Sequence, residues 1–491
     1  MATAEDRGVA AKTHPPETSP PAKSEAPTVD ARKTRLAFLV ISAGFFLAQL
    51  DTLIVNVALP TISQKFHGSS ISGLSWTLNG YAIVLAALMV PAGRWADRFG
   101  RKNVFLIGIG VFTLASLLCG VATNTAFLVA ARVLQAVGAA ALVPTSLGLL
   151  LAAYPGEGRA KAVSLWAAIG GSAPAFGSLI GGVLLQIDWR WLFLINLPVG
   201  IFAVLAGLRA LPTEPKSANG SVPDMLGAVL LMVTISSITL ALVKAPEWSG
   251  GQIGGLLAFA AVVLAYFVFR CSRHKNPLVS LPLLKVPAFA MANVSALLYS
   301  ISFAAVVFSF MQWCQDVWGW SGTKTGLALL PGLAIVPIAA RLAAPIVARI
   351  GAAASVAVGC GALTVGVSWW LATAEVEPQY VQVLLPGVVL FGAGSALAIT
   401  ALMQAATAGL APTEFATGSA IVNMVRQLGM ALGVSLFIAL LGTPSTPEAE
   451  RTAFQHGWLL TAAAGGVAAL VSLALGVWLS RATAKAAAKA A

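Results

Sequence analysis

The chain has 491 residues, of which 58% are hydrophobic and 10% are charged, and its formal net charge is +12. Soluble domains carry about 25% charged residues, so this composition excludes a soluble enzyme, a soluble nucleic-acid-binding protein and a fibrous protein. Fourteen membrane-spanning helices of about 22 residues would occupy roughly 308 residues, and the apolar content can supply them. The composition therefore indicates a polytopic α-helical membrane protein.

The first 35 residues are polar and rich in proline, and they show no apolar periodicity. We interpret residues 1–35 as a disordered cytoplasmic tail. The apolar run that follows is too long for the core of a signal peptide. It is therefore expected to remain as the first transmembrane helix.

Apolar runs bounded by charged residues, glycine or proline then recur along the chain. Because backbone groups in lipid must be hydrogen-bonded within their own segment, each run is expected to form a helix. The fourteen predicted spans are residues 36–59, 75–93, 103–122, 126–152, 160–185, 189–211, 223–244, 252–271, 288–314, 323–347, 352–372, 380–403, 415–442 and 457–480.

Lysine and arginine are distributed unevenly between the loops. If the N-terminus is cytoplasmic, 23 of the 30 basic residues fall in cytoplasmic segments and five in outer loops, while Arg132 and Arg426 lie within spans. This positive-inside pattern predicts that both termini are cytoplasmic. It also accounts for the positive net charge without a nucleic-acid partner.

Tryptophans concentrate near the predicted outer ends of the spans, and most are interpreted as an aromatic belt at the membrane interface. They are Trp76, Trp189, Trp191, Trp248, Trp313, Trp318, Trp320, Trp369, Trp370 and Trp458. Trp166 lies deeper and is a candidate for lining a transport pathway. The four cysteines and four histidines are scattered without metal-ligand spacing, so no metal or other cofactor is expected.

Asp51 is the only carboxylate well inside a predicted span. Ionisable groups within a span are costly and mark functional sites. A buried carboxyl group that is protonated from one side of the membrane and deprotonated to the other can couple proton entry to substrate exit. We therefore interpret Asp51 as the proton-coupling residue. The alternative is a permanent pair of Asp51 with an arginine that only holds helices together.

A charged loop with the sequence GRWADRFGRK, Gly93 to Lys102, joins the second and third spans on the cytoplasmic side. A positive-inside turn explains its basic residues but not the acid, Asp97. A carboxylate at this position could interact with the positive end of a helix dipole.

This loop closely resembles motif A of the major facilitator superfamily, and five further segments resemble the fourteen-helix drug:proton antiporters of that superfamily. They are LDTLIVNVALPTIS (50–63), RVLQAVGAAALVP (132–144, motif B), GSLIGG (177–182, motif C), WRWLFLINLPVG (189–200) and GSAIVNMVRQLGMALG (418–433). The segments follow the family's order, which makes them specific for the subgroup but not for a substrate. Ala136 and Ser178 replace a usual glycine and proline, and the second copy of motif A (340–351) has Ala348 in place of an acid.

The resemblance implies two six-helix bundles that rock around a central site, residues 36–211 and 288–480. Two extra helices with flanking loops would occupy 212–287, and a basic cytoplasmic tail 481–491. Asp51 would carry the proton with Arg132 as its partner. The resemblance implies a cytoplasmic latch between the halves, formed by Gly93, Asp97, Arg98, Gly100 and Arg101. It implies close helix packing at Gly177, Gly181 and Gly182. It also implies polar groups facing the cavity or interface at Gln135, Asn423, Arg426 and Gln427.

We therefore expect an antiporter that exports a small amphipathic or hydrophobic drug or antibiotic across the bacterial cytoplasmic membrane by alternating access. Because no Walker A sequence occurs, the proton gradient rather than ATP is expected to supply the energy. The expected partners are substrate, protons and lipid, and a monomer is expected. A metabolite transporter of the same fold and a non-transporting membrane sensor remain as alternatives, whereas a single buried carboxylate disfavours a membrane enzyme.

Overall fold

A computed structural model describes residues 31–66, 71–154, 158–213, 223–407, 410, 415–442, 444 and 446–490. Within these ranges all regular secondary structure is helical. A long helix coincides with each of the fourteen predicted spans. We label these helices α1–α14 in chain order, and their bounds are Ala31–Ile54, Trp76–Phe99, Arg101–Gly120, Thr125–Ala153, Gly158–Leu184, Asn196–Ala210, Met225–Val243, Gly250–Arg273, Pro287–Gln312, Gly322–Ile350, Ala352–Thr373, Leu385–Thr407, Phe415–Leu441 and Pro447–Ala490.

Thirteen helical segments in the described ranges are long and apolar enough to cross a membrane. They correspond to every labelled helix except α5, a helix of 27 residues at the fifth predicted span. The prediction of an all-helical membrane protein is therefore confirmed.

Helix ends differ from the predicted spans where short helical segments extend them. Beyond Ile54, α1 continues through a 3₁₀ turn, Val55–Ala58, into a helix at Leu59–Lys65. Pro60 fits the first turn of that helix because the amide it lacks would have no partner there. Similar short helices occur at Ile71–Leu74, Trp191–Leu194, Leu281–Leu284, Trp313–Val317 and Tyr380–Leu384.

Both predicted tails contain helical residues. Residues 31–35, which were assigned to the N-terminal tail, form the first turn of α1, while residues 1–30 lie outside the described ranges. At the other end, α14 continues through residues 481–490. The repeated alanines and lysines of that segment favour helix strongly.

The helices pack as two groups with the same internal pattern. Among α1–α6, helix α1 contacts α4, α5 and α6, and α3 contacts α4 and α6. The same contacts recur in α9–α14 when eight is added to each helix number. The contacts between the groups also obey this relation, because α2 packs on α13 and α5 packs on α10. Helices α7 and α8 pack on each other, and α7 touches both α2 and α13.

The two groups are joined at the end that the charge pattern places outside the cell. The Thr323 hydroxyl, at the start of α10, donates a hydrogen bond to the Gly182 carbonyl of α5. Gln186 Nε2 donates to Thr323 Oγ1 at 3.2 Å, and Gln315 Nε2 donates to the Val57 carbonyl at 3.3 Å. The structure is therefore closed at its predicted outer end.

The tryptophan belt is wrong for five of the assigned residues, because Trp318, at 7% exposed, is buried together with four that are more fully enclosed. Trp189, Trp313, Trp370 and Trp458 are at most 1% exposed, so protein rather than lipid surrounds them. The Trp313 and Trp458 rings lie 5.0 Å apart, in an aromatic cluster at the outer end of α9–α14. Indoles at the end of a helix bundle can fill the space between helices as well as face the membrane interface, and the sequence alone does not separate the two.

Candidate functional site

A fully buried ion pair lies within the first group of helices. Arg132 of α4 donates a hydrogen bond through Nη1 to Asp51 Oδ2 of α1, and neither side chain is exposed to solvent. A charge in a membrane protein interior is costly unless it is paired. The structure therefore brings together the two residues that were predicted to act as proton carrier and partner.

Gln135 connects both members of the pair. It lies three residues after Arg132, on the same face of α4, and its Oε1 accepts a hydrogen bond from Arg132 Nη1 at 2.6 Å. Its Nε2 donates to Asp51 Oδ1 at 3.0 Å. Both carboxylate oxygens of Asp51 therefore accept hydrogen bonds from α4.

Side chains from three further helices complete this buried polar cluster. Ser116 of α3 accepts hydrogen bonds from Gln135 Nε2 at 2.8 Å and from Asn196 Nδ2 of α6 at 3.2 Å. On α2, the Thr77 carbonyl accepts from Arg132 Nε at 3.1 Å, and the Tyr81 ring centre lies 4.1 Å from the guanidinium carbon. That aromatic face gives the cation additional electrostatic stabilisation.

In this arrangement, protonation of Asp51 and its ion pair with Arg132 depend on each other. Protonation of Asp51 would convert an oxygen that accepts a hydrogen bond into a donor, and it would leave Arg132 without an anion, because arginine stays charged in proteins. Since the side chains of Asp51, Arg132 and Gln135 are all 0% exposed, proton exchange with either side requires a different arrangement of the helices.

The motif A residues lie at the opposite end of the bundle from the outer closure. Asp97 is 60% exposed, and its carboxylate lies 3.6 Å from Arg101, four residues later at the start of α3. Gly100, between α2 and α3, has a φ of +91°, a backbone conformation that favours glycine. Arg98 lies 5.7 Å from the Phe99 ring. A latch between the halves stays a prediction.

Arg94, which belongs to the predicted loop but lies within the last two turns of α2, makes a contact that the sequence did not predict. Its Nη1 and Nη2 donate hydrogen bonds of 2.7 Å to the carbonyls of Asn276 and Pro277. The loop end of α2 is thereby tied to the segment that connects α8 to α9. A Cβ on Gly93, its neighbour, would lie 3.8 Å from Pro144 Cβ of α4, an ordinary contact distance.

The three motif C glycines of α5 contact two different neighbours. A Cβ on Gly177 would lie 2.8 Å from the Leu50 carbonyl, next to Asp51, and one on Gly181 would lie 3.1 Å from Ile54 Cγ1. A Cβ on Gly182 would instead lie 3.1 Å from the Gly322 carbonyl of the other group. The α5 backbone thus packs closely on α1 and on α10. The side chain of Ser178 lies outside the described part of the structure.

In the second group, α13 carries the remaining predicted polar residues. Arg426 Nη1 donates to Asn423 Oδ1 at 3.3 Å, and Asn423 Nδ2 donates to the Ser419 carbonyl at 3.0 Å. Asn423, Arg426 and Gln427 are each partly buried.

Sequence reasoning missed Ser116, Thr77, Tyr81 and Asn196 as members of the buried polar cluster. Asn196 carried a usable signal, because it is an amide within an apolar run of one of the quoted motifs. Among the residues that the structure describes, no group of three or more histidine, cysteine or acidic side chains could hold a metal ion.

Two packed groups of six helices, related by an offset of eight along the chain, define a membrane protein built from an internal repeat. The chain belongs to the Major Facilitator Superfamily, whose family model matches residues 41–434. Membership makes it a transporter of a small molecule within a lipid bilayer.

Two curated bacterial relatives cover most of the chain. It is 32% identical over 428 residues to the multidrug resistance protein Stp of Mycobacterium tuberculosis, covering 86% of this chain and 79% of the relative. It is 32% identical over 453 residues to the methylenomycin A resistance protein of Bacillus subtilis, covering 90% and 93%. The predicted location, a multi-pass protein of a bacterial membrane, is confirmed.

The fold is shared with solved transporter structures. The crystal structure of the POT family transporter PepTSo matches with a TM-score of 0.65 over 91% of this chain and 98% of that chain. At 15% sequence identity, this similarity concerns the fold alone.

Proposed function

We propose that the protein exports a small amphipathic or hydrophobic drug or antibiotic from the bacterial cytoplasm in exchange for protons. The names of the two relatives, a multidrug resistance protein and a methylenomycin A resistance protein, support the class of substrate. The observation that carries proton exchange is the buried ion pair of Asp51 and Arg132, bridged by Gln135.

The contacts of α5 offer a route from this ion pair to the outer closure. Gly177 packs against the Leu50 carbonyl, one residue from Asp51, and Gly182 packs against the start of α10. A shift of α1 on protonation of Asp51 would therefore displace α5, which closes the outer end against α10. Because packed helices switch between discrete arrangements, a small local shift can be amplified into opening.

Antiport requires that the proton and the substrate favour opposite transitions of the transporter. In our proposal, protonation of Asp51 from outside accompanies substrate release. Deprotonation to the cytoplasm restores the ion pair and accompanies the binding of the next substrate molecule. Arg132 keeps the deprotonated form of Asp51 compatible with burial.

The test uses the purified protein in proteoliposomes with an imposed pH gradient and a pH-sensitive dye. A panel of antibiotics and dyes, including ethidium and rhodamine 123, is added to wild-type and Asp51→Asn proteins. At least one compound should dissipate the gradient with wild type and fail to do so with Asp51→Asn. Asp188→Asn is the matched control, because Asp188 pairs with Arg190 at the surface and is 38% exposed.

Two results would overturn the proposal. The first is that no compound in the panel dissipates the gradient. The second is that Asp51→Asn exports substrate at the expense of the gradient as wild type does. Ligand binding without any flux would indicate the sensor alternative.

A further inference from the structure

The two arginines within predicted spans differ in their partners. Arg132 is paired with Asp51. Arg426 pairs with no carboxylate among the residues that the structure describes, and its buried Nε has no hydrogen-bond partner there. Arg426 stands 11 residues after the start of α13 at Phe415, which places it about 16 Å along the helix at 1.5 Å per residue. The unpaired guanidinium is therefore near the middle of its span.

Two buried hydroxyl groups lie on helices that pack against α13. Tyr299 of α9 is 2% exposed and Ser395 of α12 is 4% exposed, and neither hydroxyl has a hydrogen-bond partner in the described structure. Helices α9, α12 and α13 pack on one another. A Cβ on Gly429, three residues after Arg426, would lie 2.8 Å from Cβ of Ser300, the neighbour of Tyr299. Each of these three packed helices thus carries an unpartnered buried donor, and the side-chain acceptor bonded to the Arg426 guanidinium is Asn423 Oδ1.

Aromatic rings adjoin this group of donors. The Phe303 ring centre lies 5.9 Å from that of Tyr299 and 5.2 Å from that of Phe391 on α12. A ligand with an anionic group and an apolar body would meet donors at one end and aromatic surface at the other.

Leaving these groups unpaired is costly, because a charge in a membrane interior requires a counterion and a buried donor requires an acceptor. An anion with two oxygens matches a guanidinium especially well, since it can accept parallel hydrogen bonds from it. The unpaired donors therefore suit a ligand that brings both the negative charge and the acceptor oxygens.

We propose that Arg426, Tyr299 and Ser395 bind a carboxylate group of the exported substrate, while Phe303 and Phe391 contact its apolar body. This inference rests on the proposed export function and names its substrate class, which is amphipathic acids. Arg426 is the counterion of the substrate, just as Arg132 is the counterion of Asp51.

The experiment measures binding to the full-length protein in phosphatidylcholine nanodiscs with pairs of probes that differ only by esterification. The pairs are rhodamine 110 with its methyl ester rhodamine 123, and 1-naphthoate with its methyl ester. Wild type should bind at least one acid about tenfold more tightly than its ester, a difference within reach of one charged contact. Arg426→Gln should remove this preference while binding of the ester persists, which also shows that the variant is folded.

Control variants separate the site from general effects. Arg341→Gln removes one exposed positive charge from α10, and Ser302→Ala removes a buried α9 hydroxyl that donates to the Thr461 carbonyl at 2.6 Å. Both should keep the preference for acids. Tyr299→Phe should weaken binding of the acid and leave that of the ester unchanged.

A lipid head group could supply the same negative charge, so the measurement is repeated with phosphatidylglycerol added. An acid preference that persists supports the substrate as the source of the anion. The proposal is overturned if wild type shows no acid preference for either pair or if Arg426→Gln retains the preference. It is also overturned if phosphatidylglycerol abolishes the preference of wild type by binding to Arg426. Failure of the export function would appear separately, as absence of proton-coupled flux for every compound.

Discussion

Asp51 and Arg132 form an ion pair across α1 and α4 that is wholly buried, and Gln135 is hydrogen-bonded to both partners. Desolvating two charges is expensive, and it is tolerated only while good geometry and further hydrogen bonds are maintained. A proton that neutralises Asp51 therefore changes the free energy of the whole α1–α4 contact. This dependence is the physical basis for assigning the pair to proton coupling.

Removing only the cation, Arg132, should lower the free energy of unfolding more than removing both Arg132 and Asp51. Arg132→Gln leaves the Asp51 carboxylate buried without its counterion, and we expect a loss of about 3–5 kcal/mol in the free energy of unfolding. The double variant Asp51→Asn with Arg132→Gln should lose less than Arg132→Gln alone. Denaturant unfolding in detergent micelles measures both. Strictly additive losses would show that the two side chains do not depend on each other.

Gly182 is expected to control the outer closure, because a Cβ at this position would lie 3.1 Å from both the Gly322 carbonyl and Thr323 Cα. Gly182→Val should therefore separate α5 from α10 and favour an outward-open state. Spin labels at Ile187→Cys and Val376→Cys, two exposed positions near the outer end, should report a longer distance in this variant. Gly361→Val is the control, since nothing lies within 4 Å of a Cβ at Gly361. An unchanged distance distribution in Gly182→Val would contradict the assignment.

Asp224 should stabilise the inserted helices in a pH-dependent way. It caps α7 by accepting from the Gly227 amide at 2.8 Å, and it pairs with Arg270 of α8 at 2.8 Å. Burial alone would raise the pKa of Asp224, but the Gly227 amide and the Arg270 guanidinium outweigh burial, so the pKa lies below its ordinary value of 3.8.

Because the pKa is lower in the folded than in the unfolded chain, this stabilisation is fully present above about pH 4 and is lost as the pH falls through the folded value. Asp224→Asn should cost about 1.5–3 kcal/mol near neutral pH, and its difference from wild type should shrink in acid. Asp224→Ala should cost a further 0.5–2 kcal/mol or so, because the helix cap is lost as well. Thermal unfolding between pH 3 and pH 7 tests this, and a difference that does not depend on pH would exclude the ion pair as the cause.

The sequence was sufficient to predict those features of the fold and of the site that local sequence patterns determine. The spans follow from apolar runs that must satisfy their own backbone hydrogen bonds, and Asp51 and Arg132 are conspicuous because charges are rare in such runs. Ser116, Thr77 and Tyr81 could not be assigned in this way. They come from helices whose rotation about their axes depends on packing between neighbours. Serine and tyrosine side chains in a span are too common to single out, and Thr77 takes part through its backbone carbonyl, which every residue has.

The tryptophans show the same limit of prediction from sequence. Trp189 and Trp191 are two residues apart near one predicted outer end, yet Trp189 is 1% exposed and Trp191 is 45% exposed. Their depth along the bundle could be predicted from the sequence. The choice between the interior and the surface depends on the helix face and on the neighbouring helices, and no local pattern encodes it.

The account is tested most directly by measuring proton release when a transported compound binds to the purified protein in weakly buffered detergent solution with a pH indicator. Wild type, equilibrated at a pH where Asp51 is partly protonated, should release protons on addition of the compound, and Asp188→Asn should behave in the same way. Asp51→Asn should bind the compound without releasing protons. Proton release of wild-type size from Asp51→Asn would contradict the assignment of Asp51 as the proton-coupling residue.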